Sequence, residues 1–107
     1  MSIFQLRTYT LKDEQSLNVY RDEIYPRHLQ STPPFDITIH GIWTSPDDDA
    51  CNLYVLVSYP DGTDLPTIEQ AYMQSPDFLE DMRGFDVSTI VGVTSIRLEP
   101  SAVSPLR

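Results

Sequence analysis

A chain of 107 residues has room for one domain with a modest core, small enough that pairing with a second copy would help to cover apolar surface. Seven basic against sixteen acidic side chains give a formal charge of −9, which repels phosphate backbones and anionic lipid and so argues against nucleic-acid and membrane partners. Cys51 is the single cysteine, so no intrachain disulfide can form. There is neither a basic-then-apolar leader nor an apolar run of about eighteen residues, and a soluble, reducing, cytoplasmic setting is expected.

The first predicted strand, Phe4 to Leu11, alternates strictly. Phe4 and Leu6 are expected to point to a core, and Gln5, Arg7 and Tyr9 to the opposite face. Asp13 can cap a helix in which Leu17, Tyr20, Ile24 and His28 recur on one side at three- and four-residue steps, ending near Gln30 before the Ser31-Thr32-Pro33-Pro34 break. A second strand follows, with Ile37, Ile39, Gly41 and Trp43 on its apolar side, taken as the core side, and Thr38 and His40 on the other.

Asp47-Asp48-Asp49 reads as a hairpin tip, because it lacks the alternating ligands, glycine and terminal glutamate of a calcium loop. A third strand runs from Asn52 to Tyr59, and its apolar run Leu53 to Val57 implies two covered faces. Pro66 opens a helix through Gln74 with Ile68, Tyr72 and Met73 to one side. Ser75 caps another, with Pro76 in its first turn, Phe78, Leu79 and Met82 inward and Gly84 as its stop. The last strand spans Val91 to Leu98. Residues 1–99 thus form the domain, and 100–107 a flexible tail of low apolar content.

Strand, helix, strand, strand, helix, strand is the α+β, ferredoxin-like βαββαβ plan, with both helical regions on one face of a four-stranded antiparallel sheet. The open face is expected to carry Gln5, Arg7, Tyr9, Thr38 and His40 together with the apolar half of the third strand. Covering it with a second copy would give a homodimer.

Leu6-Arg7-Thr8-Tyr9 followed by Leu11, then Gly41-Ile42-Trp43, Tyr59 closing the third strand and Ser75-Pro76-Asp77-Phe78-Leu79, resemble the NIPSNAP family of the dimeric α+β barrel superfamily, from about residue 3 to residue 98. The resemblance implies a homodimeric barrel. Its superfamily includes cofactor-independent monooxygenases, cyclases and isomerases as well as haem-handling enzymes. Gln5 stands where the family commonly has Glu, and Val55-Leu56-Val57 where a His-Leu-Trp-like run is common, which makes this pocket more apolar.

Arg7 offers a planar fork to a carboxylate, phenolate or enolate oxygen, or else neutralises an internal acid. Gln5, Tyr9 and Tyr59 are candidate ligand contacts on the same face, the tyrosines equally suited to packing. His40 is the candidate proton carrier beside Arg7, against a solvated strand histidine as the plainer alternative. His28 is explained by its place at a helix C-terminus, and Trp43 by the core. One cysteine and two distant histidines make no zinc set, and no glycine-rich phosphate cradle or activated serine is present, so no metal or cofactor is expected. The sequence therefore supports a protein that binds a small, partly aromatic or anionic metabolite, with cofactor-free catalysis within its reach, or a noncatalytic homodimeric interaction module.

Overall fold

The computed structural model describes residues 2–107. Strand β1 (Ile3–Leu11) pairs antiparallel with both β3 (Cys51–Tyr59) and β4 (Ile90–Leu98), and β2 (Thr38–Trp43) adds outside β3, giving the order β2-β3-β1-β4. The helical regions cover one face, so the chain has the α+β, ferredoxin-like arrangement expected of it. Each helical region is divided. The first is α1 (Glu14–Val19), a π-helical turn (Tyr20–Ile24) and α2 (Tyr25–Ser31); the second is α3 (Leu65–Met73) followed by α4 (Pro76–Asp81).

Asp13 starts α1 by accepting the Ser16 N–H at 2.8 Å. The π turn has a local cause in Pro26, which has no N–H to give and whose ring would crowd the carbonyl four residues earlier. The helix widens just before it, and the Tyr25 N–H reaches back five residues to the Tyr20 carbonyl. Ile24 and Tyr25, adjacent in sequence, are consequently both buried. Ser75 caps α4 through the Phe78 N–H at 3.1 Å, and the chain leaves this region at Gly84, whose φ of 82° favours glycine.

The sheet corrects the expected orientation of β1. Gln5, Arg7 and Tyr9 face the helices, in register with the buried Val57, Val55 and Leu53 of β3, while Phe4 and Leu6 lie on the open face with Ser58 and Leu56. Alternation identified the two sets correctly, but polarity assigned them to the wrong sides. The polar row is inside because its members bond one another, and the open face is itself apolar. On the helix side Leu53, Val55 and Val57 are essentially inaccessible, and each contributes about 2 kcal/mol of burial.

A β-bulge in β2 gives a second correction. Ile39 pairs with Val57, but Gly41 pairs with the next residue, Leu56, so the extra residue His40 reverses the parity of the strand. Ile39 and Ile42 pack against the core. Trp43, expected there, is instead 52% exposed on the open face, its indole lying over Gly41 so closely that a Cβ on Gly41 would stand 2.1 Å from Trp43 Cη2. Leu79, expected inward, is also exposed, whereas Phe78 and Met82 pack on the core as anticipated. Among the described residues no helix is long and apolar enough to cross a membrane.

Candidate functional site

Strand β1 delivers Gln5, Arg7 and Tyr9 in alternate positions to the space beneath the helices, and β3 ends there with Tyr59. The Arg7 guanidinium donates from Nε to Gln5 Oε1 at 2.7 Å, from Nη2 to the Tyr59 hydroxyl, and from Nη1 to the Tyr9 hydroxyl at a long 3.4 Å. Glu69 of α3 completes the set: its Oε1 lies 3.5 Å from Arg7 Nη2 and accepts the Tyr59 hydroxyl at 3.0 Å. The four predicted ligand-contact residues are therefore brought together. Glu69 was missed, because nothing in the spacing of α3 tied it to a strand more than sixty positions away.

Burial on its own disfavours the Arg7 cation, but the phenol oxygens of Tyr9, Tyr59 and Tyr25 more than offset it and raise the guanidinium's pKa further. Burial pushes the Tyr59 phenol up to about 12, opposed by the attraction of Arg7. Arg7 is thus a permanent cation. Its guanidinium has five N–H donors, of which those on Nη1 are the least engaged.

A cavity of about 190 Å³ opens beside this group, lined by Arg7, Tyr9, Tyr25, His28, Tyr72 and Phe78 among others. A neighbouring recess of about 240 Å³ shares Arg7, Tyr9 and Tyr72 with it and reaches Gln5, Glu69 and Ser95. Both lie between the sheet and helices of one chain, so a second copy is not needed to form them. Tyr9, Tyr20 and Tyr25 meet edge to face at 5.2–5.8 Å between ring centroids, and the Tyr25 hydroxyl donates to that of Tyr9 at 2.9 Å. The walls combine aromatic faces with a few oriented polar groups, the composition suited to a small, partly aromatic ligand.

The two histidines are placed differently from expectation. His40 does lie on the open face, where its Nε2 bonds Ser58 Oγ at 2.6 Å and its ring meets Phe4 at 5.3 Å. Arg7 is on the opposite side, so His40 cannot act on a molecule that Arg7 holds. His28 is no surface helix terminus. It is 4% exposed, its ring stacks on Phe78 with 6° between planes, and its Nδ1 lies 3.0 Å from both Asp81 Oδ2 and the Tyr72 hydroxyl. Burial lowers the His28 pKa and favours the neutral imidazole, opposed by the hydrogen bond to Asp81 and by its charge, and with Asp81 ionised the contact is a hydrogen bond from Nδ1–H. Ser31 Oγ also donates to Asp81 Oδ2 and lies 2.6 Å from the Tyr72 hydroxyl. In the β2–β3 loop, the Asp48 carboxylate accepts the Tyr54 hydroxyl at 2.7 Å, anchoring the acidic hairpin tip to β3.

No protein-family model and no curated protein matches the chain. Solved structures do. It is similar to a NIPSNAP family protein from Agrobacterium tumefaciens (TM-score 0.76, 15% identity, all of both chains covered). It is also similar to an uncharacterized NIPSNAP-like domain protein from Burkholderia xenovorans (TM-score 0.78, 17% identity, 97% of this chain and 89% of that one). A candidate antibiotic biosynthesis monooxygenase from Nitrosomonas europaea superposes with a TM-score of 0.65 at 11% identity, over 95% of this chain and 93% of that one. The chain therefore has the NIPSNAP fold, as its motifs implied, and that fold is shared with monooxygenase-like proteins.

Proposed function

We propose that this is a NIPSNAP-like cytoplasmic protein that binds a small, partly aromatic anion or enolisable carbonyl compound in the cavity between its sheet and helices. The observation that carries this reading is a charged guanidinium placed at the wall of a cavity otherwise lined mainly by aromatic and aliphatic side chains, with one end of its donor fork only weakly engaged. Arg7 holds the ligand oxygen, Tyr9 and Tyr59 support it, and Gln5 fixes the guanidinium through Nε. The volume suits a single ring with a short side chain and is below that of cavities that take drug-sized molecules. Chemistry here would be cofactor-free and of the proton-transfer type. The test is a ligand-detected NMR screen of single-ring carboxylates and 2-oxo acids at pH 7 against matched neutral amides. Selective retention of the anions supports the reading, and equal or no retention rejects it.

The open sheet face favours a second property. Trp43, Ile96 and Leu98 are 52%, 59% and 41% exposed there, alongside Leu6 and Leu56, and a soluble protein rarely leaves such a group uncovered. A second copy related by a two-fold axis would cover it, making the protein a homodimer whether or not the cavity is catalytic.

A further inference from the structure

We propose that His28 and Asp81 form the proton-transfer centre of the cavity, with His28 Nε2 as the base that enolises a carbonyl compound held by Arg7; this deepens the ligand reading above and rests on it. The geometry has three parts. His28 and Arg7 line the same cavity, whereas His40, the other imidazole, is on the far side of the sheet. Asp81, a carboxylate, can only accept, so its contact at 3.0 Å fixes the proton on Nδ1; Tyr72 shares that nitrogen's environment and Ser31 donates to the same carboxylate oxygen. None of these bonds involves Nε2, and His28 itself lines the cavity, so that the Nε2 lone pair is the one left for a bound molecule. The stacked Phe78 ring and the edge of Tyr25, at 5.0 Å, hold the imidazole plane.

An imidazole whose Nδ1–H is oriented by a carboxylate, and whose Nε2 is unprotonated, is arranged as a general base. The groups facing it are Asp81 from α4, Tyr72 from α3, Tyr25 and Arg27 from its own helix and Arg7 from β1. Burial lowers its pKa most, the two arginines add to this, and Asp81 opposes them. In the step, the Nε2 lone pair takes a proton from the carbon next to the ligand's carbonyl. The C–H pair becomes the enolate C=C bond, and the carbonyl π pair moves to the oxygen held by Arg7. The imidazolium returns the proton to the same or a conjugated carbon, which gives exchange or isomerisation without an oxidant or a cofactor. Asp81 is a positioning residue. It touches no ligand and acts by holding the tautomer and stabilising the transient imidazolium.

Phenylpyruvate is a suitable probe, being a single-ring 2-oxo acid with exchangeable protons on C3. Binding is measured by calorimetry and exchange by loss of the C3 proton signal in D₂O, for wild type, His28→Gln and Asp81→Asn, each checked by its thermal melt. The expected result is binding within about threefold of wild type in both variants, with protein-catalysed exchange lower by about 100-fold or more in His28→Gln and by a smaller factor in Asp81→Asn. Binding with exchange unchanged in His28→Gln overturns the assignment of His28. Absence of phenylpyruvate binding to wild type counts instead against the cavity reading on which it rests. Independently of any ligand or variant, ¹⁵N NMR of the wild-type imidazole at pH 7 should show Nδ1 protonated and Nε2 bare; an Nε2–H tautomer or an imidazolium overturns the proposal outright.

Discussion

The Tyr59 hydroxyl stands between the Arg7 guanidinium, from which it accepts a hydrogen bond, and the Glu69 carboxylate, to which it donates at 3.0 Å. Arg7 and Glu69 themselves are 3.5 Å apart. Glu69 therefore competes for the positive charge that the cavity would offer to an anion.

Replacing Glu69 with Gln keeps an oxygen for Tyr59 and removes the charge. The side chain is 30% exposed, so much of the pair's Coulomb energy is screened by water, and the stability change should be under about 1 kcal/mol in urea unfolding. Affinity for an anionic ligand should rise by about fivefold, corresponding to about 1 kcal/mol of relieved competition. Weaker anion binding in the variant would show that Glu69 supports the site rather than opposing it.

The lowered His28 pKa has a direction that thermal melts can read. Folded His28 binds its proton less readily than unfolded His28, so its contribution is present above the ordinary histidine pKa, about 6.5, and is lost as the pH falls through the lower folded value. The melting temperature should drop between pH 7 and pH 5, and less so in a stable His28→Gln variant. The buried phenols act at the other end. Tyr59 and Tyr72 are both pushed up to about 12, mainly by burial, so their contribution is whole below about 10 and disappears as the pH rises towards 12. Absorbance at 295 nm should show fewer tyrosines ionised at pH 11 in the folded protein than in urea.

Gly41 has no room for a side chain because Trp43 lies on it. A Gly41→Ala substitution must displace the indole, and since Trp43 is the only tryptophan, its fluorescence reports the change directly. A shifted emission maximum with far-UV circular dichroism retained is expected; an unchanged spectrum would contradict the placement of the ring.

Trp43 also reports on the open face. Sedimentation at micromolar concentration should give a dimer, Ile96→Asp should give a folded monomer, and Trp43 emission should move to the red on dissociation, because a charge in the centre of an apolar interface is left unpaired. A wild-type monomer would remove the homodimer from this account but leave the cavity, which lies within one chain.

Much of this was legible in the sequence, because period and capping are local. Asp13 and Ser75 marked helix starts where the structure has them, Gly84 lies in the turn that follows α4, and the six-element order was sufficient to specify the ferredoxin-like plan. Which face of β1 lies inside was not legible. Alternation separates Phe4 and Leu6 from Gln5, Arg7 and Tyr9, but only the partners Tyr59, Tyr25 and Glu69, distant in sequence, make the polar set the buried one. The bulge at His40 is likewise a pairing property, and the reversed parity that sent Trp43 outward follows from it. The helical step puts His28 on the side of Leu17, Tyr20 and Ile24, but its position alone suggested only a helix C-terminus; its burial among polar partners depends on Asp81 and Tyr72, which lie 53 and 44 positions away.

The most direct measurement compares wild type with Arg7→Met, following phenylpyruvate affinity and urea midpoint in parallel. Glu69 is open enough to water to tolerate losing its partner, so the variant should fold with a stability loss of about 1–2 kcal/mol, while binding weakens by about 2–5 kcal/mol. A variant that is strongly destabilised but binds with wild-type affinity would contradict the account. Arg7 would then be a structural cation neutralising Glu69, and the cavity would have no anion-binding centre.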